Sequence, residues 1–367
     1  NGSNGLGANQ AGGHGAAVVL NAVGAISARA IAANGGNGVA TNATGGNAGS
    51  IMIFTNTGDI TTNAGALTAR AGAGFGTGAD SVEGFITVNN TSATGAIATG
   101  AINTSGQANG HGGDVSITGN GAVTVSGLVN SSGGTATGLR AGRNAGNITI
   151  AGAARTITGA ISANGGTGVG ANQAGGNAGV VSITGSGVVS TVTIIATGGN
   201  GVATNAKGGN AGSITVATDT GNVTTGALTA RTGAGFGTGA DSTQGFITVN
   251  NTSAAGSVTT GAINISGQAN GHGGNVSVTG SGNVAVNGTV ATSGGTSTGT
   301  RAGRNAGNVT IAGVNRSITG AIAANGGAGI GTNQAGGNAG LVSITGAGTL
   351  RTLAVNSQTG AATGIGA

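Results

Sequence analysis

Short runs in which Val or Ile flank a Ser or Thr punctuate the whole chain. Gly84-Phe-Ile-Thr-Val88, Gly113-Asp-Val-Ser-Ile117, Gly146-Asn-Ile-Thr-Ile150, Gly179-Val-Val-Ser-Ile183 and Gly212-Ser-Ile-Thr-Val216 share this form, and Gly245, Gly274, Gly307 and Gly340 open four more. Two earlier members centre on Val19 and Met52 and lack the Ser/Thr. The central residues recur every 33 positions, except for a step of 35 from Met52 to Thr87 and steps of 29 after Thr87 and after Thr248. Alternation with period two, in segments rich in Val, Ile and Thr and bounded by glycine, predicts strands rather than helices. A sustained period near 33 predicts stacked repeats.

One repeat, Gly146 to Gly179, shows the expected coil. A first strand covers Asn147–Ile150, a second lies around Arg155–Thr158, and a third covers Ala160–Ala163. A glycine-rich loop, Asn164–Ala178, leads to the next coil. Side chains alternate across a strand, so Ile148 and Ile150 face inward and Thr149 outward. The third strand offers a large and then a small inward residue, as in Leu67/Ala69, Ile161/Ala163, Leu228/Ala230 and Ile322/Ala324, which suits a narrow corner. The fold class expected is all-β: a right-handed parallel β-helix (β-solenoid) of about 11 coils of 29–35 residues, roughly 50–55 Å long. One coil's few Val and Ile, at about 1.5–3 kcal/mol each, cannot offset the ordering of its backbone. Stability must therefore be shared between stacked coils.

A longer repeat encloses the short one. GANQAGG at Gly7 returns at Gly170, and as GTNQAGG at Gly331. GAGFGTGADS occurs at Gly72 and Gly233, and RAGRNAGN at Arg140 and Arg301. The chain reads as one continuous domain, 1–367, with long repeats 7–169 and 170–330 and a partial copy 331–367. Both ends fall inside a copy. More repeats or neighbouring subunits are expected to continue the rod, because open coil ends expose unpaired backbone.

Composition narrows the class. Of 367 residues 86 are Gly; Pro, Cys, Trp and Tyr do not occur; 5% are charged and 1% aromatic. Collagen needs proline and a strict glycine period of three. A disulfide scaffold needs cysteine, and a charge-driven disordered tail needs far more charge. No run of 18 apolar residues is present, so no transmembrane segment is expected. Net charge is +5, from 11 basic and 6 acidic side chains, too small an excess to suggest a nucleic acid partner.

Candidate chemistry is sparse. Acid–base catalysis needs paired carboxylates; Asp80 and Glu83 are the one close pair, and the second copy reads Asp241 and Gln244. Catalytic, cofactor-binding and metal residues are accordingly expected to be none. His14, His111 and His272 sit in glycine loops without a second ligand at zinc spacing, and the glycine loops lack the aspartates of calcium-binding repeats. The asparagines of the recurring NAG, Asn47, Asn144, Asn177, Asn210, Asn305 and Asn338, are expected to stack as a structural ladder sharing amide hydrogen bonds. Arg140, Arg143 and Arg155, with Arg301, Arg304 and Arg316 one long repeat on, are candidates for a basic spot that meets anionic partners.

Runs such as GNVTIAG and ITGAIAANGG resemble the repeats of filamentous-haemagglutinin-like exoproteins, the large secreted β-solenoid adhesins of Gram-negative bacteria. The resemblance is one of repeat style over the whole chain. It implies export through an outer-membrane partner, an extracellular or cell-surface location, and a role as the rod of a surface fibre or giant adhesin. The partners expected are further copies of the chain or its continuation, and cell-surface glycans. The alternative function is a binding module for surface glycan or ice, using the outward Ser/Thr face or the arginine-bearing loops.

Overall fold

The computed structural model describes residues 1–62, 65–76 and 78–362. Among them every regular element is a β-strand. The strands form three 11-stranded parallel sheets, and successive neighbours in each sheet are three strands apart in sequence. Each coil thus adds one strand to each sheet, and the chain is a β-solenoid.

The coil read from sequence is the coil observed, with strands at Ile148–Ala151, Arg155–Ile157 and Ile161–Ser162. The first strand is five residues or fewer in most coils because period-two alternation lasts only that long before glycine interrupts it. Ile148 pairs with Val181, Val181 with Ile214 and Ile214 with Ile247. These positions and Ile150 are fully buried, while Thr149 is half-buried on the outer face. The small residues that follow the third strand, Ala69, Ala163, Ala230 and Ala324, are fully buried as well. One hydrophobic cluster runs from Ile26 to Ile322 along the axis.

Glycine serves mainly to let coils approach. A Cβ on Gly166 would lie 1.9 Å from the Gly134 carbonyl oxygen of the preceding coil, so no side chain fits there. Left-handed backbone is shared with asparagine: Asn9, Asn42, Asn109, Asn172, Asn205, Asn270 and Asn333 all have φ between 57° and 61°. Asparagine tolerates that region because its short polar side chain bonds locally.

The two 29-residue steps have a local cause. The first strands still pair in register, Ile86 with Val115 and Val115 with Ile148. Only the loop is shortened, to residues 104–114, between loops 69–85 and 131–147. The stack therefore has a notch in its loop wall, where the loops on either side meet directly. Gly138 lies against Gly76, and Thr137 Oγ1 donates to the Gly74 carbonyl at 3.3 Å. The buried Asn109 of the short loop joins them: its Nδ2 donates to Gly74 O (3.2 Å) and Thr137 Oγ1 (2.5 Å), and its Oδ1 accepts from Thr137 N (2.8 Å). The notch recurs at Asn270, whose side chain makes the matching bonds to Thr298.

Candidate functional site

In each long repeat, arginine and aspartate side chains converge on its own notch. Arg140 and Arg143, on the loop beyond it, reach back across the short coil to Asp80. Arg143 Nη2 donates to Asp80 Oδ1 at 2.6 Å, and Arg140 Nη2 shares the same oxygen while its Nη1 donates to the Gly78 carbonyl. Arg143 is only 5% exposed, and its Nε and Nη1 donate to the carbonyls of Asn109 (3.2 Å) and Ala141 (2.5 Å). Burial pulls this guanidinium below the ordinary arginine value, and the Asp80 charge opposes that shift. The second repeat has the same clasp: Arg301 and Arg304 stand 2.7 and 2.6 Å from Asp241. Arg70 and Arg231 close the other side, donating to the carbonyls of Ser105 (3.3 Å) and Ser266 (3.2 Å) in the short loops.

The six-arginine basic spot is thereby corrected. Arg143 and Arg304 are buried in the clasps with a carboxylate each, and Arg155 and Arg316 lie elsewhere, inside the solenoid. Arg155 is 0% exposed and stacks in register between Val123 and Val189. Its guanidinium caps backbone carbonyls that turn inward at a corner, donating to Gly152 (2.8 Å), Gly185 (3.3 Å) and Ala217 (3.1 Å) as well as Ala153 and Ser186. Arg316 does the same for Gly313 (3.3 Å), Gly348 (3.2 Å) and Val314. Only Arg140 and Arg301 keep a sizeable exposed surface, and both are paired with an aspartate.

The asparagine ladder is also built differently from the expected exchange between amides. Five of the six side chains accept from the backbone of the next coil: Asn144 Oδ1 from Asn177 N (2.8 Å), Asn177 Oδ1 from Asn210 N (3.0 Å), Asn210 Oδ1 from Thr243 N (2.8 Å), Asn305 Oδ1 from Asn338 N (2.9 Å) and Asn47 Oδ1 from Val82 N (2.9 Å). The three histidines, read from sequence as loop side chains, belong to the same column. His14, His111 and His272 accept through Nδ1 from the N–H of Asn47 (3.0 Å), Asn144 (3.2 Å) and Asn305 (3.2 Å). An accepting Nδ1 places the proton of a neutral imidazole on Nε2. In His111 and His272 that nitrogen faces Asp80 and Asp241, at 3.8 and 3.5 Å. The fixed offset of His to the following NAG asparagine, 33 residues, was the sequence signal for this role.

Beside each clasp is an open cleft. The first, about 400 Å³, is lined by Glu83, Phe85, His111, Asp114 and Asn144 with the backbone of intervening glycines. Its counterpart, about 310 Å³, is lined by Gln244, His272, Gly273, Asn305 and Ala306. Among the described residues no three His, Cys, Asp or Glu side chains gather as a metal site, and no helix is long and apolar enough to cross a membrane. The outward Ser/Thr row of the first sheet is continuous from Thr87 to Ser343, but the row two residues on reads Asn89, Thr118, Ala151 and Thr184 and forms no matched array. No protein-family model, no curated protein and no solved structure matches the chain.

Proposed function

We propose that the chain is a structural rod segment of a bacterial extracellular fibre or giant surface adhesin, of the filamentous-haemagglutinin-like kind, and that it is not an enzyme. The observation that carries this reading is the unbroken register of three parallel sheets through both long repeats, including the short coils, where a dedicated clasp restores the stack. The polar groups that would serve catalysis elsewhere are engaged in holding coils together. Asp80 and Asp241 are each neutralised by two arginines, and the histidines are acceptors for the next coil's backbone. A solenoid with this periodicity extends by adding coils and keeps its cross-section, which suits a spacer between a cell surface and a distant contact. Further copies or a continuation of the same chain are its partners along the axis, and the location is the surface of a Gram-negative cell.

Immunogold labelling of intact source cells with an antibody to the purified chain tests the proposal. Gold on filaments outside the cell envelope is expected. Label confined to the interior of permeabilised cells would overturn it.

A further inference from the structure

We propose that the cleft of the first long repeat binds an amino-sugar oligomer, with Phe85 as its stacking surface and Glu83 and Asp114 as its charge partners. The proposal is independent of the rod reading, which assigns this cleft no ligand.

Three observations carry it. The first is charge. Glu83 has no hydrogen-bond or ion-pair partner among the described residues, and Asp114 uses one oxygen to accept from Asn147 N at 2.7 Å, leaving the other free. The remaining carboxylate nearby, Asp80, is neutralised by Arg140 and Arg143. The cleft thus presents two uncompensated carboxylates on a chain whose net charge is +5. The second is the aromatic ring. Phe85 is 43% exposed in a chain that is 1% aromatic, and it lines the cleft. An exposed aromatic face accepts both the C–H face of a pyranose and an ammonium group. The third is the polar wall. Asn144 turns its Oδ1 to Asn177 N, which leaves its Nδ2 to donate, and Gly84, Gly112 and Gly146 bring backbone to the surface. Ring hydroxyls use such donors and acceptors, whereas a plain alkyl amine leaves them unmatched. The volume falls in the usual range for small-ligand sites, roughly 300–1,000 Å³.

The chain also contains its own control. Gln244 and Asn275 stand where the first copy has Glu83 and Asp114, so the second cleft has lost both carboxylates while Phe246 keeps the ring position. Selectivity for a cationic sugar therefore resides in the first copy alone.

The test is titration calorimetry of the full chain with three probes: fully deacetylated glucosamine hexamer, N-acetylglucosamine hexamer and spermine, at a pH where the amines are protonated. The deacetylated hexamer is expected to bind about ten-fold more tightly than the acetylated one, the scale of a charge-assisted hydrogen bond. Glu83→Gln with Asp114→Asn should abolish that preference, and Phe85→Ala should weaken both hexamers several-fold while Phe246→Ala leaves the preference intact. All these side chains are on the surface, and unchanged melting of each variant verifies the fold. Equal affinity for the two hexamers, a preference that survives the double substitution, or spermine binding as tight as the hexamer and indifferent to Phe85→Ala would each overturn the proposal.

Discussion

Arg143 and Asp80 are 63 residues and two coils apart in the chain, yet their side chains meet at 2.6 Å across a coil whose loop is too short to separate them. The pair explains how a solenoid tolerates a 29-residue step. A shortened loop removes one layer of the wall. The carboxylate, the two guanidiniums and Asn109 supply the hydrogen bonds that the missing layer would have made.

The clasp makes a direct prediction. Asp80→Asn keeps the shape but leaves the buried Arg143 guanidinium without its counter-charge, which should cost about 1–3 kcal/mol. Asp241→Asn should cost a similar amount. The two sites are about 24 Å apart at roughly 4.8 Å per coil, so the double variant should show the sum of the two losses within about 0.5 kcal/mol. Urea unfolding of the four proteins checks this. A neutral result for Asp80→Asn would mean that the clasp is incidental.

The ladder predicts which substitutions are interchangeable. Asn177 matters because its Oδ1 accepts from Asn210 N. Asn177→Ala should cost about 0.5–1.5 kcal/mol and speed hydrogen exchange at the Asn210 amide. Asn177→His should retain most of the stability, since His14, His111 and His272 already fill the same column as acceptors. Equal exchange rates for the Ala and His variants would contradict the acceptor role.

Some inward positions are polar without a partner. The Thr99 hydroxyl is buried and makes no hydrogen bond, and Thr99 stacks in register on Val125. Thr99→Val keeps the shape and removes the desolvated hydroxyl, so it should stabilise the protein by about 1 kcal/mol. Thr260, stacked on Val286, should behave in the same way. A loss of stability in both variants would show that these hydroxyls are satisfied after all.

Glycines should divide into two kinds. Gly166→Ala would place a Cβ 1.9 Å from the Gly134 carbonyl oxygen, and coil separation or loss of soluble protein is expected. Gly24 has open space around its Cβ position, and Gly24→Ala should be neutral or stabilising by up to about 1 kcal/mol. Thermal unfolding monitored by circular dichroism distinguishes them.

The coil was legible in the sequence because its signals are local and repeat. Val or Ile on either side of Thr149 fixes a face, and the 33-residue step fixes the register. The notch was visible as a 29-residue step, but its consequence was not, since the Arg143–Asp80 contact skips a coil and depends on loop geometry. Arg155 shows another limit. Its place in strand two, aligned with Val123 and Val189, marks it as inward, yet composition favours reading any arginine as a surface charge. Burial is tolerated there because a planar guanidinium has enough N–H groups for carbonyls that converge from three coils. The histidines were missed for a related reason: an imidazole Nδ1 and an amide Oδ1 are equivalent acceptors although the residues look unrelated.

The stacking of the repeats is tested most directly by one distance. The chain has no cysteine, so spin labels at Thr149→Cys and Thr310→Cys report a single pair. These residues occupy the same outward column, linked in register through Ser182, Thr215, Thr248 and Ser277. Double electron–electron resonance should give one narrow distribution centred near 24 Å, five coil spacings of about 4.8 Å, broadened only by the label linkers. A broad distribution, or one centred well beyond that distance, would contradict a continuous solenoid running from the first long repeat through the short coil of the second.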